Sequence, residues 1–192
     1  DTEVVALAIE SLKAIGLRRF QFDLGQVDFF RGLIEAAGLP PGAAGRVREA
    51  LLRKDYVGFG NLIDTAEVPP RLREAFHRLP ALRGGAEVLE EAESLAFNYR
   101  AKEALANLKA IVDELERKGL SEYVQIDLSL VKDLDYYTGL IFEGYTSDLG
   151  FTICDGGRYD HLIGQFGFDC PATGFAFGVE RLMLCMDRQQ AW

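Results

Sequence analysis

The C-terminal third of the chain contains three closely spaced strand patterns, which restrict the fold more than any other feature. Apolar and polar residues alternate from Val124 to Leu130, a second strand begins at Leu140, and residues 151–154 form a third after the turn residues 147–150. Strands joined by such short connections pair in the antiparallel direction. The sequence therefore predicts an antiparallel sheet in this part of the chain.

Two further units follow these strands. Residues 155–157 predict a turn, and the residues after them, up to Phe166, predict a short helix. Small and bulky residues then alternate over 174–178, which indicates a strand and a turn that lead into a helix over 179–184. The C-terminal third therefore combines strands with short helices.

The first two thirds of the chain are mainly helical. Residues 2–15 place apolar side chains on one stripe at helical spacing, and residues 20–24 alternate as a half-buried strand does. Prolines and glycines interrupt short helices between residues 29 and 83, and a longer amphipathic helix ends near Gly119. We therefore predict an α+β protein whose core comprises residues 1–28 and 84–192, with a small helical insertion at 29–83.

The composition fits a packed core and argues against several other classes of protein. With 21 Lys+Arg and 30 Asp+Glu the net charge is −9, which disfavours a broad electrostatic grip on nucleic acid or on an anionic membrane. Three separated cysteines and two histidines favour neither a disulfide scaffold nor a metal cluster. No apolar run approaches the roughly 18 residues of a membrane span, so we expect a cytoplasmic protein.

Two adjacent tyrosines lie in the connection between two predicted strands. Tyr136 and Tyr137 are expected to point to opposite faces of a strand, so that one enters the core and the other offers its hydroxyl to a cavity. The alternative is a pair of ordinary strand aromatics beside a solvated charged turn. The sequence leaves both interpretations open.

A second motif combines backbone space with polar side chains. Gly156 and Gly157 let the backbone approach a ligand closely, and Arg158, Tyr159 and Asp160 then supply a cation, a hydroxyl and a carboxylate. The alternative is a glycine turn whose arginine and aspartate pair with each other.

A third motif places a cation in the first turn of a helix. Arg181 lies there, although the helix dipole favours anions at that end. A bound phosphate or carboxylate would explain its position, and a surface arginine at a tightly packed corner is the alternative.

Together and in this order, the three motifs resemble the histidine-binding elements and the third signature motif of class II histidyl-tRNA synthetases and their paralogues. The matching segments are LVKDLDYYTGLIFE (130–143), CDGGRYDHL (154–162) and PATGFAFGVERL (171–182). The resemblance implies a core antiparallel sheet flanked by helices. Nothing in the chain resembles the first two class II motifs, so we expect the C-terminal part of a longer synthetase-like core.

The resemblance also implies roles for individual residues. The residues expected to bind histidine are Tyr136, Tyr137, Gly156, Gly157, Arg158 and Tyr159. Among them, Arg158 would order the loop together with Asp160. Arg181 would correspond to the arginine that contacts ATP phosphate in the family. His161 stands where the family usually has glycine, and we assign it to surface variation.

One departure from the synthetase pattern affects the predicted activity. Lys132-Asp133 stands where true synthetases carry Arg-Gly, and that arginine stabilises charge during histidine activation. Lysine cannot reproduce the planar, two-pronged contact of a guanidinium, and Asp133 further offsets its positive potential. We expect activation to be lost while the tyrosine pocket is kept. This combination resembles the regulatory subunits of ATP phosphoribosyltransferase, paralogues of the synthetase used in histidine biosynthesis.

The resemblance implies a non-catalytic subunit that binds L-histidine and associates with a short-form ATP phosphoribosyltransferase catalytic subunit. It also implies a homodimer within a hetero-oligomer and no cofactor, metal, membrane or tRNA partner. Two alternatives remain: a catalytic fragment of histidyl-tRNA synthetase that tolerates Lys132, and a stand-alone amino-acid-binding module.

Overall fold

The computed structural model describes residues 1–133 and 136–190. The helices are α1 (Thr2–Ala14), α2 (Val27–Ala37), α3 (Pro41–Leu52), α4 (Tyr56–Thr65), α5 (Pro70–Arg78), α6 (Glu87–Glu93), α7 (Tyr99–Arg117) and α8 (Val179–Gln189). The strands are β1 (Gln21–Gln26), β2 (Arg83–Gly84), β3 (Val124–Asp127), β4 (Leu140–Tyr145), β5 (Cys154–Arg158) and β6 (Thr173–Phe177). The predicted α+β class and the sheet flanked by helices are confirmed.

The strands form one sheet in the order β2-β3-β1-β4-β5-β6. Neighbouring strands are antiparallel, as predicted, except that β1 and β3 run parallel. The parallel pair is possible because the long helical segment between these two strands returns the chain to the starting end of the sheet.

The two faces of the sheet differ in polarity because side chains alternate along each strand. One face carries the aromatic side chains of Phe22, Phe142 and Phe175 and joins the main apolar core. Helices α1 and α7 contact β6 and β1, respectively, and pack against each other. The other face carries polar side chains, among them Asp23, Glu143 and Asp155.

Helix α2 is fixed against α7 by close backbone packing. The side chain of Gln26 accepts a hydrogen bond from the Asp28 N–H and caps α2, which ends at Gly38 with φ of 64°. A Cβ atom at Gly32 would lie 2.9 Å from Ala101, and the Asn98 amide donates to the Gly32 carbonyl at 3.0 Å. This packing holds the first helix of the predicted insertion rigidly on the core.

The predicted domain boundaries at 1–28, 29–83 and 84–192 remain predictions. Helices α2 to α5 occupy the predicted insertion, and their buried residues, such as Phe59 and Phe76, belong to the same apolar cluster as the core. No helix in the part of the chain that the structure describes is long and apolar enough to cross a bilayer. The same residues contain no group of three acidic, histidine or cysteine side chains placed to hold a metal ion.

Several local predictions were wrong in ways that have physical reasons. The strand predicted over 20–24 is buried on both faces from Phe22 onward because β1 lies in the centre of the sheet. The predicted third strand is shifted to Cys154–Arg158, so Gly156 and Gly157 lie within a strand instead of a turn. The predicted helix before Phe166 is only a single 3-10 turn, which stops at Gly167 with φ of 97°.

Candidate ligand-binding site

Three carboxylates lie in register across the polar face of the sheet. Asp23 on β1 pairs with Glu143 on β4, which pairs with Asp155 on β5; we call these three residues the carboxylate row. The exposed fraction of the side chain rises from 8% at Asp23 to 22% at Glu143 and 47% at Asp155. Adjacent strands are about 4.8 Å apart, so like charges in such a row require cations between them.

Lys132 supplies the cation at the open end of the carboxylate row. Its ammonium contacts Glu143 Oε1 at 2.6 Å and also contacts Asp155 Oδ1. The Lys132 side chain is only 12% exposed, and the Thr152 hydroxyl donates to the second oxygen of Asp155 at 3.2 Å. The positive charge of Lys132 is therefore neutralised by two carboxylates of the protein itself.

The buried end of the row is satisfied by a separate polar network. Asp23 accepts hydrogen bonds from Arg83 at 2.7 Å, from Gln125 at 2.5 Å and from Tyr145 at 2.9 Å. Burial nevertheless raises the pKa of Asp23, because the loss of water outweighs the contributions of these partners. Sequence analysis missed this network, since its members lie on four strands far apart in the chain.

The three predicted tyrosines form one aromatic cluster. The rings of Tyr136 and Tyr137 lie 4.5 Å apart at 46°, and Tyr159 is 5.8 and 6.4 Å from them in edge-on orientation. The prediction that Tyr136 and Tyr137 point to opposite faces was wrong, because neither residue lies in a strand and their hydroxyls are 3.5 Å apart. Burial, followed by the hydrogen bond with Tyr136, raises the pKa of Tyr137. The neighbouring residues Leu134 and Asp135, part of the same motif, lie outside the described residues.

The paired glycines give room to aromatic rings. A Cβ atom at Gly157 would lie 2.7 Å from the Tyr137 ring, and a Cβ atom at Gly156 would lie 2.7 Å from Phe175 Cβ and closer still to the Phe142 ring. No real Cβ atom tolerates such distances, so any side chain here would displace a ring. Their predicted role of leaving backbone room thus applies to protein rings in this structure.

Arg158 is held by two carboxylates. Its Nε donates to Asp1 and its Nη1 donates to Asp160, both at 2.8 Å. Because side chains alternate along β5, Arg158 lies on the same face as Gly156 and on the opposite face from Gly157. This arrangement fits the role of ordering the loop after β5.

Arg181 lies beside the aromatic residue that precedes β5. Its Nη1 donates to the Thr152 carbonyl at 2.6 Å, and its guanidinium lies 5.0 Å from the centre of the Phe151 ring. The structure therefore gives Arg181 protein partners in an exposed position, as the surface alternative predicted.

Two cavities meet at the tyrosine cluster. The larger, about 510 Å³, is lined by Lys132 and Tyr137 together with residues of α2 and α3. The smaller, about 260 Å³, is lined by Tyr136, Tyr137 and the exposed residue His161, whose assignment to surface variation stays a prediction. Arg31 and Arg100 line both cavities. No sequence motif marked these arginines, because α2 and α7 bring them together only in the folded chain.

The fold and the site together define a class of protein. A mostly antiparallel sheet, with helices on its apolar face and tyrosines, carboxylates and a lysine on its polar face, is the core of a class II aminoacyl-tRNA synthetase-like protein. The sequence model of the histidyl-tRNA synthetase family matches residues 1–182. The chain belongs to this family.

Similar proteins carry a more specific name. The chain is 43% identical over 190 residues to the ATP phosphoribosyltransferase regulatory subunit of Acetivibrio thermocellus, covering 99% of this chain and 46% of that protein. It is 43% identical over 184 residues to the regulatory subunit of Moorella thermoacetica, covering 96% and 47%. A crystal structure described as an ATP phosphoribosyltransferase regulatory subunit/histidyl-tRNA synthetase from Bacillus halodurans C superposes with a TM-score of 0.92 at 38% identity, covering 96% and 49%. The chain spans about half the length of the curated relatives it matches.

Proposed function

We propose that the chain is the synthetase-like core of a regulatory subunit of ATP phosphoribosyltransferase, which binds L-histidine and does not activate it. The observation that carries the proposal is Lys132, whose ammonium is held between Glu143 and Asp155. The names of the relatives at about 40% identity support the same assignment and are consistent with a non-catalytic role.

The position of Lys132 disfavours amino-acid activation. Activation needs positive charge directed at the oxygens that become negative as the carboxylate attacks ATP. Here two carboxylates of the sheet neutralise Lys132, which stands where the synthetases carry arginine, and a lysine lacks the planar, two-pronged geometry that binds two oxygens at once. Arg181, which the resemblance relates to ATP phosphate, already donates to the Thr152 carbonyl.

The tyrosine cluster supports binding of an amino acid with a polar ring. Tyr136 and Tyr137 line the smaller cavity, and the Tyr159 ring packs edge-on against both of their rings. An imidazole can both donate to and accept from such hydroxyls, whereas an aliphatic side chain would leave buried hydroxyls unpaired. We propose that this contrast makes the site prefer histidine to leucine.

The partner in this proposal is a short-form catalytic subunit of ATP phosphoribosyltransferase. Feedback control follows if histidine binds the inhibited arrangement of the complex more tightly than the active one, because coupling between two sites is reciprocal. A homodimer within the hetero-oligomer and a cytoplasmic location complete the proposal.

The test is phosphoribosyl-ATP formation by a short-form catalytic subunit, with and without this protein in its natural full length, over a histidine titration. We expect activation that histidine suppresses, and no histidine-dependent exchange of pyrophosphate into ATP. Absence of activation at every ratio, together with exchange, would favour the synthetase alternative. Absence of both, with histidine still bound, would favour the stand-alone binding module.

Tyr137→Phe tests the histidine site within the same assay. Loss of one buried hydroxyl contact costs about 1 kcal/mol, which corresponds to about fivefold weaker inhibition by histidine with activation unchanged. Tyr56→Phe is the matched control, because Tyr56 is exposed on α4 and does not line either cavity. Unchanged inhibition in Tyr137→Phe would remove this tyrosine from the site.

A further inference from the structure

The larger cavity is much bigger than an ordinary packing defect. Its volume is about 510 Å³, within the usual range for small-molecule sites, whereas protein cores rarely leave voids larger than a water molecule. Helices α2 and α3, the start of α7 and the segment around Lys132 form its walls. The wall formed by α2 and the start of α7 is closely packed at Gly32 and Ala101.

A glycine in α3 leaves part of this cavity open. Gly45 lies at an exposed position in the middle of the helix, where it lines the mouth of the cavity, and a Cβ atom there would meet nothing within 4 Å. Glycine inside a helix is about 1 kcal/mol less favourable than alanine. Gly45 therefore makes α3 less stable than an alanine would, although the local packing does not require a glycine.

The lining combines an apolar floor with a positively charged rim. The apolar side chains are Val27, Phe30, Ile34, Leu39, Ala44 and Val131. The charged lining residues are Arg31, Arg48, Arg100, Lys132 and Glu35. Because Glu143 and Asp155 neutralise Lys132, the positive charge of the rim comes from the arginines.

The contacts made by two of these cations leave them able to bind an anion. Arg31 contacts Asp28 at 3.4 Å, and Arg100 contacts Glu35 at 3.3 Å and Asp28 at 3.9 Å. Each guanidinium carries five N–H donors, and both side chains are partly exposed at the cavity, so further donors can reach a ligand oxygen.

We propose that this cavity binds a small organic carboxylate with an apolar body, held by the floor of α2 and α3 and by the guanidinium groups of Arg31 and Arg100. A carboxylate matches the two-pronged geometry of a guanidinium, and the apolar body occupies the space that Gly45 leaves open. The cavity adjoins the smaller one and shares Arg31, Arg100 and Tyr137 with it, but none of its apolar floor residues lines the smaller cavity. The proposal stands whether or not the chain regulates a transferase.

The test is calorimetric titration of the natural full-length protein with 3-phenylpropionate, indole-3-acetate and octanoate, and with the neutral amide of each acid. We expect at least one acid to bind, and to bind about tenfold or more tightly than its amide, because the amide loses the charge-assisted contacts. Binding of no acid at millimolar concentration, or equal binding of acid and amide, would overturn the proposal.

Two matched variants locate the binding. Gly45→Leu fills the cavity, whereas Gly42→Leu places the same side chain on the same helix at a glycine that also has open space but does not line the cavity. We expect Gly45→Leu to lose about tenfold or more in acid affinity and Gly42→Leu to behave like the unchanged protein. Both variants should fold, since leucine favours helix over glycine, and thermal unfolding checks this. Equal affinity in the two variants, or stoichiometric displacement of the acid by L-histidine, would refute a separate carboxylate site.

Discussion

Replacing Lys132 tests whether the carboxylate row depends on one cation. In Lys132→Met the side-chain volume is nearly kept, but Glu143 and Asp155 remain side by side on adjacent strands without their shared ammonium. Breaking a fully buried ion pair costs about 3–5 kcal/mol, whereas an exposed pair contributes about 0–1 kcal/mol. Since Glu143 is mostly buried and Asp155 is half exposed, we expect the free energy of unfolding to fall by about 2–3 kcal/mol.

The measurement is urea denaturation of the natural full-length protein, followed by fluorescence. Lys109→Met is the matched control, because Lys109 forms an exposed ion pair with Asp113 one helical turn away and its loss should cost less than about 0.5 kcal/mol. A triple variant that adds Glu143→Gln and Asp155→Asn should recover more than half of the loss, since it removes the unpaired charges. The reasoning would be refuted if both lysine substitutions lowered the free energy of unfolding by the same small amount, or if the triple variant recovered none of the lost stability.

Three further predictions concern stability. Gly157→Ala should lower the free energy of unfolding by about 2 kcal/mol or more, because its Cβ would lie 2.5 Å from the Leu140 carbonyl and 2.7 Å from the Tyr137 ring. Gly45→Ala makes the same change in open space and should instead raise the free energy of unfolding by about 1 kcal/mol. Urea denaturation of both variants measures the two changes, and a change in the same direction in both would contradict the prediction. Asp23→Asn tests the raised pKa of Asp23: the protonated carboxyl stabilises the fold below about pH 4, and this contribution is lost as the pH rises through the higher pKa of the folded state. We therefore expect denaturation curves between pH 4 and 7 to shift progressively in favour of Asp23→Asn, and a shift in the opposite direction would mean that Arg83 outweighs burial.

Elements with a strong local period could be predicted from the sequence. The stripe of apolar residues in α1 and the alternation in β6 depend on neighbouring residues only, and the structure places both elements close to their predicted positions. The tRNA-synthetase-like class was predictable because three motifs occur in order, each with its own residue pattern.

Contacts between distant residues could not be predicted in this way. Asp23 is 60 residues from Arg83 and 102 from Gln125, so no local pattern connects them. Gly156 and Gly157 resemble a turn in the sequence, and only the rings packed above and below them explain glycine within a strand. The arrangement of the tyrosines was missed because the segment that carries them is not a strand.

The central position of β1 has a consequence during protein synthesis. This strand leaves the ribosome before its two neighbours in the sheet, β3 and β4, which follow about 100 residues later, as the separation of 102 residues between Asp23 and Gln125 illustrates. At about 5–20 residues per second, β1 waits about 5–20 s for its partners. During that interval Phe22 and Leu24 must be covered by nascent helices or by a chaperone. The core is completed only after β6 and α8 emerge, because Phe175 and Cys185 also pack in it.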